Sequence, residues 1–154
     1  MKQKITPFLW FDSQAEDAAK FYVSVFKDSK MGQVSRYGEG MPLPKGTVMT
    51  AAFEIEGQPF IALNGGPQFK FTEAVSFVVN CDTQKDIDYY WDKLTAGGGK
   101  EVQCGWLKDK YGLSWQIVPS ALPELVKKSG RVMEALLHMK KLDIAALQRA
   151  ATAA

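Results

Sequence analysis

Residues 5–11, ITPFLWF, are apolar almost without interruption and stop at Asp12, the pattern of a buried strand. The spacing then becomes helical. Ala18, Phe21, Tyr22, Val25 and Phe26 share one face, Asp12-Ser13 stand at the cap, and Glu16 and Asp17 lie in the first turn, where the helix dipole favours carboxylates. A helix over residues 14–26, lying on a sheet, is expected. A short strand over 33–37 and a loop rich in breakers over 38–46 (GEGMPLPKG) follow. A hairpin of strands 47–56 and 58–63 about Gly57 completes this half, which ends in Asn64-Gly65-Gly66-Pro67.

The same order then recurs. Residues 74–81 read as a strand ending at Asp82, as the first ended at Asp12. Residues 83–94 read as a helix with Ile87, Tyr90, Trp91 and Leu94 on one face, stopped by Gly97-Gly98-Gly99. The stretch 104–119, CGWLKDKYGLSWQIVP, reads as a hairpin: a strand that begins at Cys104, a turn over residues 108–112, and a returning strand 114–118 stopped by Pro119. In the returning strand Ser114, Gln116 and Val118 share one face and Trp115 and Ile117 the other, so an amide is held opposite an apolar side. The repeat is one of pattern, with a longer loop or hairpin in the first half. Beyond residue 120 the chain is helical: Pro123 opens one short helix, Ser129-Gly130 break it, and Val132, Met133, Leu136, Leu137 and Met139, then Leu142, Ile144 and Leu147, give further apolar positions. This tail either closes one end of the sheet or docks on a partner.

Composition narrows the function classes. The chain has 154 residues, 46% hydrophobic and 23% charged, which suits one domain, or two small halves sharing a core. A net charge of +2 without a basic stripe offers nothing to nucleic acid or a lipid surface. The apolar run at residues 5–11 is too short for a signal peptide or a membrane span, so a cytoplasmic location is expected. Cys81 and Cys104 have neither zinc-site nor disulfide-framework spacing.

The candidate chemistry is sparse. His138 is the single histidine and lies in the tail, outside both halves, which speaks against a Ser-His-Asp or Cys-His arrangement. Cys104 is the nucleophile candidate, next to Gly105 and near the cations Lys108 and Lys110 that could lower its pKa; the alternative is a small buried hydrophobe, which is also the reading of Cys81. Glu54 and Glu56, on one strand face, and Asp109, in the hairpin turn, are expected to be solvated.

Five segments in order resemble the PhnB-like group of the vicinal oxygen chelate superfamily, often labelled 3-demethylubiquinone-9 3-methyltransferase: PFLWFDSQAEDAAKFYVSVF, FIALNGGP, EAVSFVVNCD, CGWLKDKYGLSWQIVP and VMEALLHMKKLDIAALQRA. The resemblance implies an α+β fold of paired βαβββ modules, over about residues 1–68 and 69–120, forming a cupped, barrel-like mixed sheet. Residues 121–154 then form a helical extension, and the protein is expected to be a homodimer. Catalytic relatives hold a divalent metal with His or Gln near the start of each module's first strand and Glu near the end of its last. The matching positions here are Thr6, Ala74, Asn64 and Gln116, none an imidazole or carboxylate, so neither metal nor other cofactor is expected. The methyltransferase label meets a second difficulty, because no glycine-rich turn leads from a strand into a helix, where such cofactors usually sit. In the family register Thr6, Phe8 and Trp10 point inward, with Phe60 and Trp106 opposite. The expectation is a mostly apolar cup binding a small organic molecule, lined by Thr6, Phe8, Trp10, Asn64, Ser76, Trp106 and Gln116. The alternative is an enzyme that has replaced the metal by side chains, drawing on Cys104, Gln116 and Asn64.

Overall fold

The computed structural model describes residues 3–153. They form two compact units that divide between Lys70 and Phe71. The first contains β1 (Phe8–Phe11), α1 (Ala15–Val25), β2 (Lys30–Arg36), β3 (Val48–Ile55) and β4 (Gln58–Asn64). The second contains β5 (Ser76–Cys81), α2 (Gln84–Thr95), β6 (Lys100–Glu101), β7 (Trp106–Lys108) and β8 (Ser114–Pro119), followed by α3 (Leu122–Lys128), α4 (Arg131–Leu137) and α5 (Ile144–Thr152). Each unit is thus a βαβββ module. The strand orders are equivalent, β1-β4-β3-β2 and β5-β8-β7-β6, and in both the first strand lies parallel to the last. Among the described residues the strands make two separate four-stranded sheets and no closed barrel. No helix among them is long and apolar enough to cross a membrane.

In the first unit Ala51, Phe53 and Ile55 of β3 and Phe60 and Ala62 of β4 are buried at alternate positions, on the face that α1 covers. Alanines 15, 18 and 19 on α1 leave room for Tyr22 to stack on Phe53 at 6.0 Å, and Phe53 stacks on Phe60 at 5.2 Å. The hairpin turns at Glu56 and Gly57, φ +47° and +85°, the two left-handed residues that a two-residue loop matching the strand twist requires. Phe60 is therefore core beneath α1, contrary to its expected place opposite Phe8 and Trp10. One residue of register decides this, because neighbouring strand positions point to opposite faces.

In the second unit Ile87, Trp91 and Leu94 of α2 are buried, as are Leu107, Trp115 and Ile117 of the sheet it packs against. Thr83 caps the helix, its hydroxyl accepting the Asp86 N–H at 3.1 Å. A side chain on Gly99 would stand 2.7 Å from the carbonyl oxygens of Thr95 and Lys108, so this glycine serves the return from α2 into the sheet.

Two strands begin later than expected, β1 at Phe8 and β5 at Ser76, and Ile5 is 80% exposed. The larger departure is at Cys104. It starts no strand; it stands at φ +63° in the turn between β6 and β7, followed by Gly105 at +83°. This turn is held from the tail, whose Met139 and Lys140 carbonyls accept the Cys104 and Gly105 N–H groups at 2.7 and 2.8 Å. Leu125, Val132, Leu136, Leu142 and Leu147 form the tail's own core, and Cys104 and Val118 pack against it. Gln84 on α2 fastens the strap between α4 and α5: its amide nitrogen donates to the Leu142 carbonyl at 3.0 Å and its oxygen accepts the Ile144 N–H at 2.8 Å. Beside it Asp88 pairs with Lys141 at 3.0 Å. The tail docks on its own unit.

Candidate functional site

The face of the second sheet turned away from α2 carries the polar groups. The register places Lys108, Ser114 and Ser76 in one row across β7, β8 and β5, and Trp106, Gln116 and Val78 in the next. Trp115 and Ile117 point the other way, into the core. The expected alternation of this strand therefore holds. The Gln116 amide donates to the Ser76 hydroxyl at 2.9 Å beside the half-buried Trp106, which leaves its carbonyl oxygen and a second N–H without a bond among the described residues. Ser114 is 1% exposed, and its hydroxyl has no hydrogen-bond partner among the described residues. Lys108 pairs with Glu73 of the loop ahead of β5. Its cation draws the Glu73 carboxyl below the usual carboxylate range, the Lys108 hydrogen bond being the largest cause.

The hairpin that presents this row is built on a residue expected to be solvated. Asp109 is 2% exposed. One of its oxygens accepts the N–H groups of Tyr111 and Leu113 at 2.8 and 3.1 Å, and the other accepts the Trp115 indole N–H at 2.9 Å. An Asp whose side chain bonds backbone N–H groups two and four places on, ahead of Gly112 at φ +88°, is a turn device. The letters D-K-Y-G carry that signal.

In the first unit Phe8 is 56% exposed and Trp10 half-buried, both on the face away from α1, where Ile61 and Leu63 stand opposite them in β4. Trp10 also serves the turn after β4: its indole N–H donates to the Gly66 carbonyl at 2.9 Å, its ring meets Phe69 edge-on at 4.9 Å, and a side chain on Gly65 would lie 2.3 Å from that ring. Thr6 lies ahead of β1 and, with Lys30, Gly32, Glu54, Pro59 and Ile61, borders a cavity of about 230 Å³. Glu54 is paired with Lys30 at 3.6 Å, and Glu56 is in the hairpin turn.

Asn64 has another placement. It is 3% exposed; its side-chain oxygen accepts the Ala15 N–H at 2.8 Å, and its amide nitrogen donates to the Val48 carbonyl at 3.0 Å. It thus takes over the start of α1, where Gln14 stands at the cap without a side-chain capping bond and Asp12-Ser13 do not act as expected. Asn64 is not the counterpart of Gln116 either. The last residues of the two first strands, Phe11 and Cys81, pair with Asn64 and Pro119; three places back from these stand Ile61 and Gln116.

These positions do not suit the metal of catalytic relatives. Asn64 spends both ends of its amide on backbone, Gln116 is bonded to Ser76, and Ala74 offers no donor side chain. Among the described residues no three His, Cys, Asp or Glu side chains stand close enough to hold an ion. His138 is exposed at the end of α4, where it borders an open groove with Arg131 and Glu134.

Of the two thiols, Cys81 is buried in β5 and Cys104 half-buried under the tail. Burial first, then the charges of Asp86 and Asp82, push the Cys81 thiol up to about 12. Thiolate is the reacting form, and each unit removes tenfold of it at neutral pH. Iodoacetamide added to the folded protein at about pH 8 is expected to spare Cys81 until the chain is unfolded. Peptide mass spectrometry reads this, and early labelling of Cys81 would show that β5 opens.

The family model described as 3-demethylubiquinone-9 3-methyltransferase matches residues 3–118. A putative 3-demethylubiquinone-9 3-methyltransferase, PhnB protein, from Bacillus cereus is 40% identical, with 76% of this chain covering 99% of that one at a TM-score of 0.69. The protein PA1353 from Pseudomonas aeruginosa (17% identity, 77% and 98% covered, TM-score 0.63) and the fosfomycin resistance protein FosX from Listeria monocytogenes (13%, 80% and 98%, 0.54) share the fold. No curated protein matches the chain. With the paired modules and the match over both of them, the chain belongs to the PhnB-like, 3-demethylubiquinone-9 3-methyltransferase-labelled family.

Proposed function

We propose that the protein binds a small organic molecule, without a metal, on the face of its second sheet turned away from α2, and that it does so as a homodimer whose second copy helps enclose the ligand. The observation that carries this reading is the Gln116–Ser76 pair beside Trp106. An indole offers a flat apolar platform, and an amide and a hydroxyl with unused donors and acceptors fix orientation, the usual composition of a small-molecule site. The first unit supports it with the apolar Phe8, Trp10, Ile61 and Leu63 on its own corresponding face. Cys104 and Asn64 are occupied by structural contacts, so the proposal does not draw on them. Neither glycine cluster leads from a strand into a helix, which leaves the methyltransferase label without support in the local geometry.

Native mass spectrometry of protein taken from its own cell, followed by a thermal-shift screen, tests the proposal. A retained or stabilising ligand is expected to lose about tenfold in affinity in Gln116→Leu, through one unmade hydrogen bond, with the unliganded Tm little changed. Absence of any ligand in both experiments would overturn the reading, stoichiometric metal in elemental analysis would overturn its metal-free part, and a monomer by light scattering its dimeric part.

A further inference from the structure

We propose, resting on the small-molecule reading above, that the ligand is a carboxylic acid, that Lys108 receives its carboxylate, and that the chain's own Glu73 occupies Lys108 until the ligand displaces it. Lys108 is fixed in β7, two-thirds of its side chain covered, while Glu73 reaches it from the loop ahead of β5 and is 58% exposed. The pair is thus a strand-held cation with a loop-held carboxylate, and the exposed partner is the one that can leave. Exposed ion pairs contribute little, so an incoming carboxylate meets small resistance. A carboxylate already stands at that ammonium.

The second observation is Ser114, next to Lys108 in the same row. A buried hydroxyl without a partner is unfavourable and asks for a group beyond the chain. A ligand carboxylate has two oxygens, one for the Lys108 ammonium and one for the Ser114 hydroxyl, a charge-assisted bond in each case. The rest of the molecule then lies along the next row, over the Trp106 indole and within reach of the Gln116–Ser76 pair. That arrangement selects a small acid with a flat apolar body.

Benzoate and its neutral isostere benzamide are the probes, followed by ligand-observed NMR titration and by the Glu73 carboxyl carbon resonance. Benzoate is expected to bind more tightly than benzamide and to return the Glu73 resonance toward that of a free carboxylate. Glu73→Gln, an exposed substitution, is expected to tighten benzoate about threefold to tenfold by removing the competitor. Lys108→Met is expected to abolish the preference of the protein for benzoate. Equal binding of the two probes, unchanged in Glu73→Gln, would overturn the exchange and leave the binding face standing. Binding of neither probe to either protein would overturn both.

Discussion

Asp109→Ala is expected to cost about 4 kcal/mol of stability. Three N–H groups, those of Tyr111, Leu113 and the Trp115 indole, converge on one buried carboxylate. Hydrogen bonds to a charged group contribute more than neutral ones, and removal of the acceptor strands donors that water does not reach. Leu113 and Trp115 are each nearly fully buried, so these two donors bear most of the loss. Asp109→Asn is informative because its shape is unchanged: one of the two oxygens becomes an NH₂ that must face an N–H donor, and about 2 kcal/mol is expected. Urea unfolding of both variants, followed by tryptophan fluorescence, measures the difference. A loss below about 1 kcal/mol for the alanine variant would mean that solvent reaches the turn. The effect should extend to ligand affinity, because the turn carries the strands that hold Lys108 and Ser114 in register.

Asn64→Leu ranks second, at about 3 kcal/mol. The substitution frees the Ala15 N–H at the start of α1 and the Val48 carbonyl in β3. Asn64→Asp separates the two roles. A carboxylate still accepts from Ala15 and suits the positive end of the helix, but it turns an oxygen on the Val48 carbonyl, so an intermediate loss of about 1–2 kcal/mol is expected. The order wild type, Asp, Leu in urea midpoints checks this. Equal losses for both would assign the whole effect to the Val48 contact.

The sequence showed the elements wherever the cause is local. Apolar spacing located α1 and α2, Gly57 marked the first hairpin, and alternation in residues 114–118 assigned Gln116 and Trp115 to opposite faces. It failed where a residue's partner is distant in the chain. Asn64 reads as a turn residue after a strand, and only the parallel pairing of β1 with β4 carries it to Ala15, 49 positions away. Cys104 lies in a run that looks extended, yet the carbonyls of Met139 and Lys140 hold it in a left-handed turn. Phe60 was misplaced by parity, since its side of the sheet depends on the pairing with Phe53. Asp109 is legible in part: its letters mark the turn, but nothing local shows the Trp115 indole that bonds its second oxygen. In the candidate site, alternation and resemblance point to Gln116, Ser76 and Trp106, while Ser114 reads only as a strand position and Glu73 carries no signal. Their interest lies in a missing partner and an ion pair, and letters alone display neither.

The strap fastened by Gln84 makes the edge of the family match at residue 118 a poor place to divide this chain. A protein shortened there would lose Pro119 from its pairing with Cys81 and the whole cluster that covers Val118 and Cys104. A greasy patch and a thiol would then share one unprotected surface, the combination that drives intermolecular disulfides and clumping during purification. Homology sets the limits of what is shared with relatives; the unit that can be handled as a molecule here extends into α5.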